Sequence, residues 1–214
     1  MTQTPLLTTA ETIQLSGRPL LITDADEVLF RFVDGFMTFL EQRNLYLDLS
    51  SYRLHGNVKQ RQGDLAVPNR DVTELLNTFR HDLDSLVAVG GARDSVNRLS
   101  GQMDVVILSN VSDAQAGARL RNLAAEGFAF PLIPNAGAKG PAVKVLAEKA
   151  GSPTFFIDDI PSHIDSVAVE APAVTCIHFV GDERLKPLLP KAEKAQLRAD
   201  DWAEIERFIT GKLG

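Results

Sequence analysis

The sequence predicts an α/β fold, with a Rossmann-like, mainly parallel sheet flanked by helices. Short apolar runs at 20–23, 104–109 and 154–157 alternate with amphipathic helical patterns from residue 89 onward. Apolar runs without polar alternation are typical of strands buried on both faces. Strands that alternate with helices form parallel sheets through right-handed crossover connections.

After residue 89 the predicted elements follow in regular order. Helices are expected at 92–99, from Ser112 to Gly127, at 141–150, from Pro161 and around 202–209, with strands at 104–109, 128–133, 154–157 and 174–179. The Ser112–Asp113 pair is a typical helix start, and Gly127 is a typical helix end. A proline in the first turn is tolerated, so Pro141 fits the start of its helix.

Residues 31–88 interrupt this order between the first two predicted strands. Val33, Phe36, Met37 and Leu40 recur at the spacing of an amphipathic helix, and a second helix is expected to start near Asp71. The polar stretch 44–70 between them contains several turn formers and is expected to be irregular. The predicted organisation is therefore a core of residues 1–30 and 89–214 with a small helical insertion at 31–88.

Composition limits the classes of function. The chain has 214 residues, 44% of them hydrophobic, and a net charge of -6, which argues against binding a nucleic acid polymer or an anionic membrane. A single cysteine excludes an internal disulfide and indicates a reducing compartment. The first 18 residues do not resemble a secretory signal, and no apolar run approaches the ~20 residues needed to span a bilayer. We expect a cytoplasmic protein.

Two aspartates follow the first predicted strand. Asp24 and Asp26 come directly after the apolar run 20–23, where alternate residues face the same way. Open α/β sheets bind ligands at the carboxyl ends of their strands. Two carboxylates this close repel each other, which favours a divalent cation beside them. An isolated pair of this kind is also common as a helix cap or a turn.

Three later stretches make the pair more informative. Ser109–Asn110 ends the strand at 104–109, Lys139 precedes Gly140–Pro141 at a helix start, and Asp158–Asp159 ends the strand at 154–157. This ordered set, over residues 19–178, resembles the haloacid dehalogenase-like (HAD) hydrolase superfamily. The insertion after the first motif lies where this superfamily has its C1-type helical cap.

The resemblance implies roles for the motif residues. Asp24 corresponds to the nucleophile that forms an aspartyl phosphate, and Asp26 corresponds to the general acid/base of the phosphatase branch. Ser109 and the Asn110 backbone N–H would contact a phosphoryl oxygen. Lys139 would hold a positive charge against the phosphoryl group and Asp24.

The resemblance also implies a Mg²⁺ site. Its expected ligands are Asp24, a backbone carbonyl from Asp26, and the pair Asp158 and Asp159, since Mg²⁺ prefers oxygen ligands. Asp158 is expected to bind the ion directly. Asp159 is expected to bind it through water, or else to pair with Lys139. No two histidines have the spacing of a zinc site, so each is expected to be a packed or surface side chain. His55 and His163, the latter near the acidic pair, stay as weaker candidates.

Two further expectations concern the substrate side. Glu27 lies where many relatives have glycine, and it is expected to face solvent or belong to a turn, without a catalytic role. The segment 53–61 carries Arg53, His55, Lys59 and Arg61 in an acidic chain. It is either a contact for an anionic or nucleotide-like substrate or a solvated loop.

The leading hypothesis is a Mg²⁺-dependent phosphomonoester hydrolase acting on a small phosphorylated metabolite. A HAD-like scaffold that binds a ligand or partner with little catalysis is the first alternative, and a 5'-nucleotidase-like or phosphonate-cleaving enzyme is the second. A phosphonatase would need a lysine in the insertion, where Lys59 is the only one. Asp26 argues against carbon–halogen cleavage, because a halide leaves without a proton.

Overall fold

The computed structural model describes residues 6–214. Its core is a six-stranded sheet in the order β5-β4-β1-β6-β7-β8, and every neighbouring pair of these strands is parallel. The strands are β1 (Leu20–Thr23), β2 (Leu45–Leu47), β3 (Val58–Gln60), β4 (Asp104–Ser109), β5 (Leu132–Pro134), β6 (Thr154–Asp158), β7 (Thr175–Phe179) and β8 (Leu197–Ala199). The helices are α1 (Phe32–Glu41), α2 (Asn69–Arg80), α3 (Ala92–Leu99), α4 (Asp113–Ala125), α5 (Gly140–Ala150), α6 (Pro161–Glu170) and α7 (Trp202–Leu213). The predicted α/β class is confirmed.

The sheet is buried on both faces because alternate strand residues point in opposite directions. Leu21, Ile107 and Ile157 pack on the face that is covered by α3, α4 and α7. Ile22 packs with Phe156 on the opposite face, under α5 and α6. The central strands β4, β1 and β6 are therefore apolar on both sides, which explains why their sequences are continuous apolar runs.

The insertion contains more than helices. Both predicted helices form, as α1 and α2, but the expectation that 44–70 is irregular is wrong for two segments. Strands β2 and β3 pair antiparallel, with Tyr46 opposite Lys59. Phe36, Val58 and Phe79 belong to the same buried cluster as the sheet residues on the face covered by α3, α4 and α7. The insertion therefore shares one hydrophobic core with the sheet face that it adjoins.

The outermost strand on one side of the sheet, β8, is not indicated by the sequence pattern. β8 has only three residues and pairs with β7 through Ile177 and Leu197.

No helix within residues 6–214 is long and apolar enough to cross a membrane. The cytoplasmic location stays a prediction.

Candidate active site

The four motifs meet at one edge of the sheet. β1 lies between β4 and β6, and all three strands run in the same direction. Asp24 follows β1, Ser109 ends β4, and Asp158 ends β6. The parallel order thus places these residues at the carboxyl ends of adjacent strands, where ligands bind in folds of this class.

Lys139 links the two aspartates that end the neighbouring strands β1 and β6. Its side chain is fully buried, with Nζ 2.6 Å from Asp24 Oδ1 and 2.7 Å from Asp158 Oδ2. Burial alone would lower the pKa of Lys139, but the charges of Asp158 and Asp24 outweigh it and raise that pKa above its usual value. The ammonium group therefore stays charged in the site. The alternative in which Asp159 pairs with Lys139 is wrong.

Gly140 brings Lys139 to this position. The Gly140 N–H donates a hydrogen bond to Ser166 Oγ at 3.0 Å, and a Cβ atom on residue 140 would lie 2.5 Å from the Ser166 carbonyl oxygen. Only glycine allows α5 to approach α6 this closely at its first turn. Pro141 follows in the first turn of α5, as the sequence predicts.

Both oxygens of Asp158 are fully occupied. Asp158 Oδ1 accepts hydrogen bonds from the Ile160 N–H at 2.9 Å and from His163 Nδ1 at 3.1 Å, while Oδ2 faces Lys139. Burial raises the pKa of Asp158, but Lys139 and His163 reverse this and hold it below the usual range. Asp158 is thus an anchored anion that orients Lys139 and His163.

Asp24 and Asp159 are less completely satisfied. Among the described residues, Asp24 Oδ2 and Asp159 Oδ1 accept no hydrogen bond, and both side chains line the same cavity. Asp159 Oδ2 accepts a hydrogen bond from the Tyr52 hydroxyl of the insertion. Burial, reinforced by the charges of Asp158 and Asp24, raises the pKa of Asp159 well above its ordinary value, and burial raises the pKa of Asp24 to about 6.

These carboxylates fit a hard divalent cation. Asp24, Asp158 and Asp159 each offer an oxygen, and the three oxygens lie within 4.8 Å of one another. A cation would offset the repulsion that raises two of the three pKa values. Because Asp158 is occupied by Lys139 and His163, the accessible oxygens belong to Asp24 and Asp159. Asp158 still offers an oxygen to the group of three, so the expectation that it binds the ion directly stays a prediction.

The Asp26 side chain is not part of this group of three carboxylates. Its Oδ1 accepts a hydrogen bond from Arg119 Nη2 on α4. The Arg119 side chain is fully buried, donates a second hydrogen bond to Asn122 Oδ1 at 3.1 Å, and lies over the ring of Phe30. Asp26 Oδ2 accepts no hydrogen bond within residues 6–214, and Asp26 lines the cavity. The predicted metal contact of the Asp26 backbone carbonyl stays a prediction.

The Ser109 hydroxyl is buried and has no hydrogen-bond partner among the described residues. A buried hydroxyl normally finds one, so this group is a candidate donor to a ligand oxygen next to the cavity, although Ser109 does not itself line it. The neighbouring Asn110 side chain is held in place, because its Nδ2 donates to the Gly137 carbonyl at 3.0 Å and its Oδ1 accepts from Asn135 at 2.7 Å.

Glu27 lies inside the protein, and the expectation that it faces solvent is wrong, while its place in a turn is confirmed. Its φ of 56° lies in the left-handed region, where glycine is most easily accommodated. Its carboxylate accepts a hydrogen bond of 2.6 Å from the Val33 N–H in the first turn of α1. Burial raises the pKa of Glu27 to about 7.

A cavity of about 280 Å³ lies between the sheet edge and the insertion. Its polar lining includes Asp24, Asp26, Asn110, Asp159 and His163. Its apolar lining comes mostly from the insertion: Phe32, Val33, Leu47, Leu49, Leu54, Ile160 and Leu185. The volume is near the lower end of the range for small-molecule sites.

Segment 53–61 was expected to be either a substrate contact or a solvated loop, and its side chains differ in this respect. Lys59 pairs with Asp48 at 2.5 Å and Arg61 with Glu41 at 2.8 Å, so both are parts of surface ion pairs. His55 contacts Thr73. Arg53 alone of the four lines the cavity.

Several site residues were missed by sequence reasoning. Tyr52 and Arg80 line the cavity from the insertion, and Arg119 contacts Asp26 from α4. His163, a weaker candidate from the sequence, lines the cavity and contacts Asp158. The sequence carries no local signal for Arg119, because its partner Asp26 lies 93 residues earlier in the chain.

His178 contacts the backbone of Asp159, the second residue of the acidic pair. Its Nε2 donates a hydrogen bond to the Asp159 carbonyl oxygen at 2.9 Å, while its Nδ1 accepts one from the Ala192 N–H at 3.2 Å. Burial lowers the pKa of His178, which suits a neutral ring with one donor and one acceptor. The expectation of a packed histidine is confirmed at this position.

Comparisons with known proteins agree with this arrangement. No family model matches the chain, and no curated protein matches it by sequence. Among solved structures, a HAD-superfamily hydrolase of subfamily IA from Geobacter sulfurreducens is 17% identical, with a TM-score of 0.56 over 89% of this chain and 99% of that one. L-2-haloacid dehalogenase from Xanthobacter autotrophicus is 11% identical, with a TM-score of 0.57 over 90% of this chain and 98% of that one.

A third structure is the Bacillus subtilis protein YfnB, assigned as a HAD-hydrolase and solved bound to magnesium. It is 14% identical and has a TM-score of 0.61 over 90% of this chain and 99% of that one. Identities this low establish similarity of fold. The chain therefore has the fold of the haloacid dehalogenase-like hydrolases, with its four motif positions at the carboxyl edge of the sheet.

Proposed function

We propose that this protein is a Mg²⁺-dependent phosphomonoester hydrolase that acts through an aspartyl phosphate on Asp24. The observation that carries the proposal is the position of three groups at one sheet edge. The Asp24 carboxylate faces the cavity, Lys139 holds it at 2.6 Å, and the buried Ser109 hydroxyl has no partner among the described residues. A nucleophile, a positive charge and a hydrogen-bond donor are what phosphoryl transfer needs.

In the first step, an Asp24 oxygen attacks the phosphorus atom. The ester P–O bond breaks, its electron pair leaves with the alcohol oxygen, and that oxygen takes a proton from Asp26. Lys139 and Ser109 stabilise the charge on the phosphoryl oxygens. When bound, Mg²⁺ would be held by Asp24 and Asp159 and would neutralise phosphoryl charge.

In the second step, Asp26 takes a proton from water, and the water oxygen attacks the same phosphorus atom. The bond between phosphorus and Asp24 breaks, which releases inorganic phosphate and restores the carboxylate. Arg119 supports both steps because it holds Asp26 Oδ1 and fixes the position of a carboxylate that lines the cavity.

The alternatives receive less support from the geometry. Lys59 pairs with Asp48 and does not line the cavity, which disfavours a Schiff-base phosphonatase. The filled motif positions disfavour a binding scaffold without catalysis.

The test is release of phosphate from a panel of small esters and nucleotides, with Mg²⁺ and with chelator. We expect Mg²⁺-dependent turnover that falls at least about 1,000-fold in Asp24→Asn, because the amide cannot act as the nucleophile. Asp165→Asn on α6, at an exposed position, is the matched control and should retain turnover. Turnover by Asp24→Asn at the wild-type rate, from protein with a native circular dichroism spectrum, would refute Asp24 as nucleophile.

A further inference from the structure

Arg80 is a cation at the wall of the active-site cavity, without an anionic partner among residues 6–214. It is the last residue of α2 and lines the same cavity as Asp24 and Asp159. Its Nε atom is buried and forms no hydrogen bond with a described residue. Its guanidinium lies 5.7 Å from the centre of the Phe32 ring and forms no ion pair within the described part of the chain.

The fully buried Arg119 side chain has an anionic partner in Asp26, and even the exposed Arg184 pairs with Asp182 and Asp34. Arg80 is half-buried, and even partial burial of a guanidinium costs free energy unless a carboxylate or phosphate compensates. In a chain with a net charge of -6, acidic groups are plentiful, yet none lies within ion-pair distance of Arg80 among the described residues. The missing partner is therefore expected to come from a ligand.

The remaining lining restricts the body of that ligand. Seven apolar side chains surround the space, and few uncharged hydroxyl or amide groups face it: Ser51, Tyr52 and Asn110. An aliphatic or aromatic body would gain from burial against these seven apolar side chains.

We propose that the substrate carries a second anionic group, a carboxylate or a second phosphate, on a small apolar body, and that Arg80 binds this group. The guanidinium presents several N–H donors in a plane that matches either anion. Arg53, at the exposed rim of the same cavity, adds positive charge nearby. The inference rests on the proposed phosphatase function, because it concerns the leaving group of that reaction.

The test compares three aryl esters with one scaffold. 4-Carboxyphenyl phosphate and 4-carbamoylphenyl phosphate have the same shape but differ in charge, and benzene-1,4-diol bisphosphate provides a second phosphate. The carboxy ester and the bisphosphate each carry a second anionic group. We expect the better of these two to have a kcat/KM about 10- to 100-fold higher than the carbamoyl ester, the size of effect expected for a charge-assisted hydrogen bond. Which of the two it is identifies the second anion.

Arg80→Met keeps the approximate length of the side chain and removes its charge. This variant should reduce the ratio between the anionic and carbamoyl esters to near one, mainly through KM. Arg70→Met on the same helix is the matched control, because Arg70 is exposed and does not line the cavity, and it should keep the wild-type ratio. A wild-type ratio near one, or a ratio unchanged by Arg80→Met, would overturn the inference.

A binding measurement separates this inference from the proposed function. Calorimetric titration with 4-hydroxybenzoate and with 4-hydroxybenzamide requires no turnover. The wild-type protein could bind the benzoate more tightly than the benzamide, lose this preference in Arg80→Met, and hydrolyse no ester. That result would support the anion site and refute the proposed phosphatase activity. Hydrolysis of all three esters at equal efficiency would retain the phosphatase and refute the anion site.

Discussion

The Arg119 guanidinium on α4 donates a hydrogen bond to the carboxylate of Asp26 at the carboxyl edge of β1. The Arg119 side chain is fully buried, whereas that of Asp26 is 20% exposed to solvent. A rigid cation thus holds one carboxylate oxygen and leaves the other beside the cavity. This arrangement makes Arg119 a positioning residue for the proposed acid/base.

Arg119→Met should therefore reduce turnover in a way that depends on the leaving group. Alkyl phosphates need a well-placed proton donor, whereas 4-nitrophenyl phosphate has a leaving group that departs without one. We expect kcat/KM to fall about 10- to 100-fold for an alkyl ester and clearly less for the nitrophenyl ester. Arg121→Met on the same helix is the control, since Arg121 is exposed and pairs with Asp84. Equal losses for both esters would argue against positioning of Asp26.

Asp26→Asn should slow ester hydrolysis more than it weakens Mg²⁺ binding. The Asp26 side chain lies outside the group of three carboxylates that face one another, so its charge is not needed to complete that site. Loss of a general acid/base typically costs about 100- to 10,000-fold in rate. Calorimetric titration with Mg²⁺ beside steady-state kinetics measures both effects. A larger loss in Mg²⁺ affinity than in turnover would instead identify Asp26 as a metal ligand.

Lys139→Met should destabilise the fold as well as abolish turnover. The substitution leaves Asp24 and Asp158 buried without their shared cation. Removing one partner of a buried ion pair costs about 3–5 kcal/mol in the free energy of unfolding. Urea denaturation in chelator measures this, with the exposed Lys144→Met on α5 as control.

The same variant gives a pH signature. Without Lys139, the two buried carboxylates have raised pKa values, so stability should fall further as pH rises from about 5.5 to about 8. Added Mg²⁺ should restore part of the stability by replacing the lost charge. A Lys139→Met protein as stable as wild type at the upper end of this range, in chelator, would contradict the bridging role.

Glu27 should make stability fall as pH rises. Its pKa is 4.5 in the unfolded reference and about 7 in the folded protein, because burial disfavours the anion. A raised pKa stabilises the fold fully below the unfolded value, and this contribution is lost as pH rises through about 7. The expected loss between about pH 4.5 and about pH 8 is on the order of 2–3 kcal/mol.

Glu27→Gln isolates this effect. Glutamine retains an oxygen to accept the hydrogen bond from Val33 but does not titrate. The free energy of unfolding should therefore depend less on pH in Glu27→Gln than in wild type or in the exposed control Glu148→Gln. Identical pH dependence in all three proteins would mean that Glu27 does not titrate between its free and buried pKa values.

Most of the fold was predictable because its signals are local. Ala92–Leu99 and Asp104–Ser109 form with the predicted bounds, and Ser112 caps α4 through a capping box with Gln115. Each signal depends on periodicity or on a terminal residue within one element. β2, β3 and β8 were missed, and the strand predicted at 128–133 forms only as Leu132–Pro134. Three-residue strands carry too few residues for a period to show, and their pairing partners decide their positions.

The sequence by itself determined the α/β class, because apolar runs are local features, and its ordered motifs, through their resemblance to the HAD superfamily, singled out Asp24, Ser109, Lys139 and Asp158–Asp159. Only the tertiary structure decided which charged side chains pair with one another. Lys139 pairs with Asp158 and not Asp159, Arg119 holds Asp26, and Arg80 is left without an anion among the described residues. Such assignments depend on distances of about 3 Å between groups up to about a hundred residues apart, and no local pattern specifies them.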